Sequence, residues 1–528
     1  MNKLFLILLL CFVISCRKET LKSEVVLKKE ASKPRVQPEG RSVKIDSALL
    51  ISFNDKILTY FYKSTAYGTV WQSDEKRKII LEELLKSDEE GLNPEDYKVK
   101  ALSDFEKKAA TLDTTDLAKY DILLTSSLQK YISHLTNGTL SPAKLYKNWD
   151  LKKKPIDLNE TVAQLLSSDS LRYRIDQLKP NHLVYKRLKK ALTLINALPN
   201  EKFKKLKIAR NITPNDSNPS IIDIKKRLIY WEDLQPKDSL TPVYDKETVM
   251  AVKRFQRRHG LATDSTINEV TIASLNFSKQ QRIHQIIANL ERWKWYPKEM
   301  GEEYVIINIP DYRLTLVKDR DTLRTHRVIV GRAKRKTPIL SSKLTQVVFN
   351  PTWTVPPTIL REDVIPAILK SRSYLTNSNI KVYDSNGRIV SPYEWQLSLA
   401  ETYRYVQTPG TFNSLGMVKI IFPNRFSVYL HDTNHRDYFD KIDRSLSSGC
   451  VRVDNPLELT EYLLNDPVNW NLEKITTILQ NERTKFVKIK KNVSFHLLYW
   501  TAWSENNKLI FRDDIYNLDA NLYTKLRN

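Results

Sequence analysis

One cysteine stands among neighbours suited to nucleophilic chemistry. It is Cys450, in the run Ser447-Ser448-Gly449-Cys450-Val451-Arg452-Val453. A thiol becomes a thiolate near neutral pH only beside a base or a positive charge, and histidine is the usual supplier. His431, in Leu430-His431-Asp432-Thr433, ends an apolar strand pattern, a rigid place from which to provide that base. Its second ring nitrogen needs a partner, and a backbone carbonyl of the following turn would serve. Gly449 lets the main chain turn tightly, so the N–H groups of Gly449 and Cys450 are candidates to face a developing oxyanion. Arg452 shares a strand face with Cys450 and is a candidate to hold a carboxylate. Ser447 and Ser448 are read as shaping this loop or hydrogen-bonding within the site. His431 and His435 also stand four apart, the spacing of a metal pair on a helix, but the first of them ends a strand. Neither a metal nor a cofactor is expected. Asp437, Asp440 and Asp443 read as solvated loop charges.

Compartment decides what a lone thiol means. Met1-Asn2-Lys3 is a short positive start, and Leu4 to Ile14 is an apolar run too short to span a bilayer. The run ends Val13-Ile14-Ser15-Cys16, which resembles a lipobox, where a signal peptidase leaves a lipid-modified cysteine at the new N-terminus. An ordinary signal peptide cut elsewhere, or an uncleaved anchor, are the alternatives. The chain has 3 cysteines. With Cys11 inside the signal and Cys16 lipidated, Cys450 is left as a free thiol in an exported protein, where it risks oxidation. The formal net charge is +24, yet the basic residues are spread along the chain, with no zinc-finger spacing, compact basic helix or arginine-rich tract. A basic surface facing an anionic membrane or wall polymer fits this better than nucleic acid.

These site residues need a scaffold, and 528 residues are too many for one core. Residues 1–16 read as the signal and 17–42 as a tether without periodicity. From 43 to 205 the pattern is helical: Ile79, Leu81, Leu84 and Leu85 form an apolar face ending at Gly91, and Asn93-Pro94 opens the next helix. A second unit spans 213–276, with Ile221, Ile224, Leu228 and Ile229 at helical spacing, a helix capped at Asp245 carrying Val249, Val252 and Phe255, and a last helix from Val270 to Leu275. Its run Phe255-Gln256-Arg257-Arg258-His259-Gly260-Leu261 resembles the signature of the three-helix peptidoglycan-binding module, except that Asp264-Ser265-Thr266 stands where that family usually has Asp-Gly. His259 reads as a capping or packing residue rather than a ligand. From Tyr304 the period changes to two, with strands expected at 304–309, 312–317, 328–331, 346–350, 417–422 and 426–430. Residues 357–410 interrupt this catalytic region, 304–490, with helical and polar sequence long enough to be a lid. Residues 491–528 read as a C-terminal extension packing on the helical scaffold or the catalytic region. The fold class is multidomain α+β.

His431-Asp432-Thr433 followed by Ser447-Ser448-Gly449-Cys450-Val451-Arg452-Val453 resembles the catalytic signature of the L,D-transpeptidases, whose catalytic domain is of the YkuD type. The nearer match is the large periplasmic subfamily in which a serine replaces the histidine of Ser-His-Gly-Cys. Asn289-Leu290-Glu291-Arg292-Trp293-Lys294-Trp295, Arg335-Lys336-Thr337-Pro338, the run Asn350 to Pro357 and Tyr499-Trp500-Thr501-Ala502-Trp503 extend the likeness over nearly all of the mature chain. The resemblance implies a periplasmic enzyme acting on peptidoglycan tetrapeptide stems, with a membrane held through its lipid. Cys450 would attack the carbonyl before the terminal D-alanine, with His431 as base and then acid and the Asp432 carbonyl orienting it. A side-chain amine of a second stem would resolve the thioester into a 3→3 cross-link. It also implies Trp353 and Tyr429 as substrate-binding residues beside Arg452, Ser447 and Ser448, and makes 357–410 the segment that caps the substrate, with Tyr393 and Trp395 as its aromatic candidates. A wall-binding lipoprotein without turnover, a hydrolase and a protein-to-wall attachment enzyme are the alternatives on the same fold.

Overall fold

The computed structural model describes residues 42–528; the signal sequence, Cys16 and nearly all of the expected tether lie outside the described residues. The N-terminal unit is helical. Its longest helix, α1 (Thr114–Asn137), starts on Asp113, whose side chain accepts from the Asp116 N–H, and stops at Gly138 with φ +74°. The helix over Asp74–Leu85 buries Ile80, Leu81 and Leu84, while Leu85 stays exposed, so the apolar face is turned by one residue from the sequence reading. Asn93 caps only a short 3₁₀ turn, Pro94–Tyr97.

The second unit has the expected helices, Ser220–Tyr230, α2 (Lys246–Arg258) and Glu269–Leu275, and Ile221, Ile224, Leu228, Val252 and Phe255 are fully buried. Its signature run acts structurally. The Gln256 amide donates to the Thr266 carbonyl and its oxygen accepts from the Ser265 N–H, while the His259 ring stacks on Phe255 at 3.8 Å. Ser265 has φ +65°, a left-handed conformation that glycine adopts at no cost. That is where the sequence departs from the module's usual glycine. Helix α3 (Lys279–Trp295) then runs between the units and carries Asn289, Glu291, Arg292 and Lys294, all 1% exposed or less.

A 12-stranded mixed sheet organises the remainder. Its long strand β1 (Asp321–Gly331) joins two halves, pairing on one side with Arg313–Lys318 and on the other with Val451–Val453. The site half runs β2 (Gln346–Phe349), β3 (Val418–Ile421), β4 (Leu430–His431) and β5 (Val451–Val453), in the spatial order β1-β5-β4-β3-β2. Three boundaries differ from the sequence reading. Phe426–Tyr429 is not strand, because the Asn424 side chain accepts from the N–H groups of Phe426 and Val428 and holds a loop. The inserted segment is more than helical: a four-stranded sheet of Trp353–Thr354, Ile380–Tyr383, Ile389–Val390 and Arg404–Gln407 backs its helices around a separate core. Finally, Ser494–Leu498 lies inside the main sheet, parallel to Glu303–Asn308 and antiparallel to Ile339–Lys343. The segment beyond 490 is therefore part of the sheet rather than an appendage. Only its hairpin, Ala502–Phe511, and terminal helix, Asp519–Arg527, lie outside it, and the helix packs on α3. Among the described residues no helix is long and apolar enough to cross a membrane.

Candidate active site

Three neighbouring strands put their charged residues abreast. Lys419 on β3 is the antiparallel partner of His431 on β4, and His431 is the parallel partner of Arg452 on β5. Residues paired this way point to one face of a sheet, and Tyr429 and Cys450, just before β4 and β5, join them by contact: the Tyr429 ring lies 5.6 Å from that of His431, and its hydroxyl and backbone reach Cys450. Register and contact thus gather Lys419, Tyr429, His431, Cys450 and Arg452.

The loop before β5 is tightly tied. Ser447 Oγ donates to the Cys450 carbonyl at 2.5 Å and accepts from the Gly449 N–H at 3.1 Å. The Gly449 N–H is therefore already engaged, and of the two expected oxyanion donors only the Cys450 N–H makes no hydrogen bond among the described residues. Gly449 has φ +118°, and nothing crowds the position its Cβ would take, so glycine is required by conformation rather than by space. Its carbonyl accepts from Thr337 Oγ1, whose own oxygen accepts from the Gly331 N–H. Tyr516, far along the chain, braces the same corner: it donates to the Gly331 carbonyl and accepts from the Thr337 N–H. Ser448 is exposed and accepts from Arg335, and that guanidinium also pairs with Glu362 and Asp363 at the start of the inserted cap. One side chain thus clasps the cap to the cysteine loop.

Cys450 is half-buried and unpaired, and burial pushes its thiol up, against the pull of Tyr429, Lys419 and Arg452. His431 is 5% exposed. Burial, with Arg452 and Lys419 adding to it, holds its imidazole down to about 3, while the adjoining Asp432 backbone favours the cation. Its Nδ1 has no partner of normal hydrogen-bond geometry among the described residues, although the Asp432 carbonyl it was expected to donate to is near enough to favour the cation. The Asp432 carboxylate faces away from this chemistry. It accepts from the Met417 N–H at 2.9 Å, pairs with Arg436 at 3.2 Å and packs hard against Gly416. Arg452 has Nε and Nη1 cut off from solvent with no partner among the described residues, and burial pulls its guanidinium below its usual range. Lys419 holds its Nζ 3.8 Å from the Tyr429 ring centroid, and burial lowers its ammonium as well.

The remaining candidates separate. Trp353 opens the cap sheet and lies beside Tyr429, whose hydroxyl is raised by burial and by Cys450. Trp395 is 2% exposed and donates its indole N–H to Tyr405 within the cap core, whereas Tyr393 is 91% exposed. Lys419 and Tyr516 have no role in the sequence reading, and Arg335 enters it only through the run Arg335-Lys336-Thr337-Pro338; each joins the site through pairings that only the tertiary structure makes.

Residues 302–469 match the model of the L,D-transpeptidase catalytic domain. Over that span the chain is similar to L,D-transpeptidase catalytic domains. Residues 56–192 match a scaffold domain and 217–275 a family described as "putative peptidoglycan binding domain". A relative from Haemophilus influenzae named "putative L,D-transpeptidase" is 34% identical over 270 residues, covering 50% of this chain and 54% of that protein. The match thus spans about half the length of the curated relative. Crystal structures of L,D-transpeptidases from Xylanimonas cellulosilytica and Stackebrandtia nassauensis align over 56% of this chain at 13% and 11% identity, with TM-scores of 0.18 and 0.21, too low to carry an argument. The multidomain α+β architecture, a helical N-terminal region, a peptidoglycan-binding domain and a mainly β catalytic domain of the YkuD type, agrees with the sequence reading.

Proposed function

We propose that this chain is a lipid-anchored periplasmic transpeptidase that joins peptidoglycan tetrapeptide stems through 3→3 cross-links, with Cys450 as nucleophile. The observation that carries the reading is the unpartnered, desolvated guanidinium of Arg452 on the same sheet face as the free thiol. A buried cation without a counter-ion is costly unless a ligand supplies one, and a stem carboxylate has the charge and fork geometry to do so.

The reaction then follows in balanced steps. His431 takes the Cys450 proton, and the sulfur bonds to the carbonyl carbon before D-alanine. The C–N bond breaks as His431 returns the proton to the departing D-alanine amine, leaving a thioester. The side-chain amine of a second stem attacks that carbonyl and loses a proton to His431. The C–S bond breaks, and the thiolate recovers the proton. The Cys450 N–H is positioned for the oxyanion. Cys16 carries the lipid that holds the enzyme at its membrane.

The test uses purified tetrapeptide wall fragments and mass spectrometry of the products. The parent chain is expected to release D-alanine and form 3→3 dimers, and Cys450→Ala to form none. Dimers from Cys450→Ala would sink the nucleophile; D-alanine release without dimers would replace cross-linking by hydrolysis.

A further inference from the structure

His431 is a neutral base on this face, so the positive charge that stabilises a Cys450 thiolate has to come from elsewhere. An imidazolium normally serves. Here His431 lies between Lys419 and Arg452 in register across β3, β4 and β5, and a third cation packed between two others is disfavoured. Two candidates remain. Arg452 is assigned above to a stem carboxylate, which would spend its charge on the substrate. Lys419 is left.

The setting of Lys419 is unusual for a lysine. Its side chain lies on the functional face, half-buried, with no carboxylate paired to it among the described residues. Its Nζ rests on the Tyr429 ring at 3.8 Å, the side chain whose hydroxyl and backbone both favour a charged sulfur at Cys450. Packing alone would be served as well by methionine or leucine, which avoid the cost of desolvating an ammonium.

We propose that Lys419 is a positioning residue of the catalytic centre, its ammonium supplying the fixed charge that stabilises the Cys450 thiolate and the oxyanion formed when that thiolate attacks. This rests on Cys450 as the nucleophile but not on the identity of the acceptor. The groups facing the thiol are Lys419 on β3, Tyr429 and His431 at β4, and Arg452 on β5, with Tyr438 beside Arg452. The Asp432–Arg436 pair is closed on itself.

The experiment reads the thiol without any substrate. Full-length chain is treated with iodoacetamide across neutral and alkaline pH, and carbamidomethylation of Cys450 is followed by mass spectrometry of its peptide. An opposite charge within reach shifts such a group by about one unit or more. Lys419→Met is therefore expected to move the rate profile to higher pH, slowing labelling about tenfold at a fixed pH below the midpoint. Lys419→Arg is expected to restore it. Lys419→Gln, which keeps a polar end, provides the same neutral test if the methionine variant does not fold. A neutral variant that folds and labels on the parent profile overturns the proposal, leaving Lys419 as cover for Tyr429; so does a failure of arginine to rescue. A chain that labels as expected but makes no cross-links sinks the transpeptidation reading and leaves the role of Lys419 standing.

Discussion

Arg292, on helix α3, and Arg452, beside Cys450, both hold guanidinium nitrogens cut off from solvent, yet their surroundings are opposite. Arg292 donates to Asp519 at 2.8 Å and to Asn289 at 2.9 Å, and Asp519 also accepts from Thr501. Burial works against the charge of Arg292, but the facing carboxylate more than offsets it and keeps the group cationic. Arg452 has no such partner, and burial wins. The first pair ties the terminal helix to α3 and finds its counter-charge within the chain, with only Nε of Arg292 left without a partner. The second has no counter-ion among the described residues. A buried charge paired within the chain helps hold a fold together, whereas one without a counter-ion calls for an explanation, of which a bound anion is one.

That contrast gives three expectations, in falling order of effect. Asp519→Ala strands Arg292 in the interior and should cost about 3–5 kcal/mol in urea unfolding, enough to threaten the fold. Arg452→Met removes a cation that has no counter-ion among the described residues. Its unfolding free energy should stay within about 1 kcal/mol of the parent or rise, while cross-linking falls roughly 10- to 100-fold. Equal destabilisation by the two substitutions would break the comparison. The last expectation is confined to acid pH. His431 is held at about 3 when folded against 6.5 as a free side chain, so below pH 6.5 the unfolded chain binds the extra proton and stability falls as pH falls. Unfolding titrations of parent and His431→Gln should coincide in relative slope at neutral pH and diverge below it, with the parent losing more. For the same reason the acid limb of kcat/KM should lie well below 6.5; a limb at 6.5 would show that the flanking cations do not act on His431.

What the sequence revealed of this site was local in the chain. Cys450, Arg452 and His431 fall within short runs whose alternation already places them on strands, and Gly449 precedes its strand where a turn is needed. Long-range pairing was not legible. Nothing near Lys419 says that it lies opposite His431, because that register depends on where β3 meets β4. The Asn424 side chain converts an alternating run at 426–429 into a loop, which periodicity cannot detect. The Gly449 N–H was expected at the oxyanion but is taken by Ser447, two residues away, through a hydroxyl rotation no pattern encodes. The cap sheet escaped notice because its strands are 2 to 4 residues long.

The strand Ser494–Leu498 has a consequence for how the protein is made. It lies between Glu303–Asn308 and Ile339–Lys343, so a growing chain that has synthesised both neighbours must wait until residue 498 has emerged before they can be joined. Until then Glu303–Asn308 and Ile339–Lys343 each present an unpaired edge to whatever is nearby, the situation in which nascent chains aggregate or need a chaperone. Completion of the sheet is thereby deferred until residue 498 has been made, and a ribosome that stops before it leaves the Cys450 loop with no finished sheet to hold it.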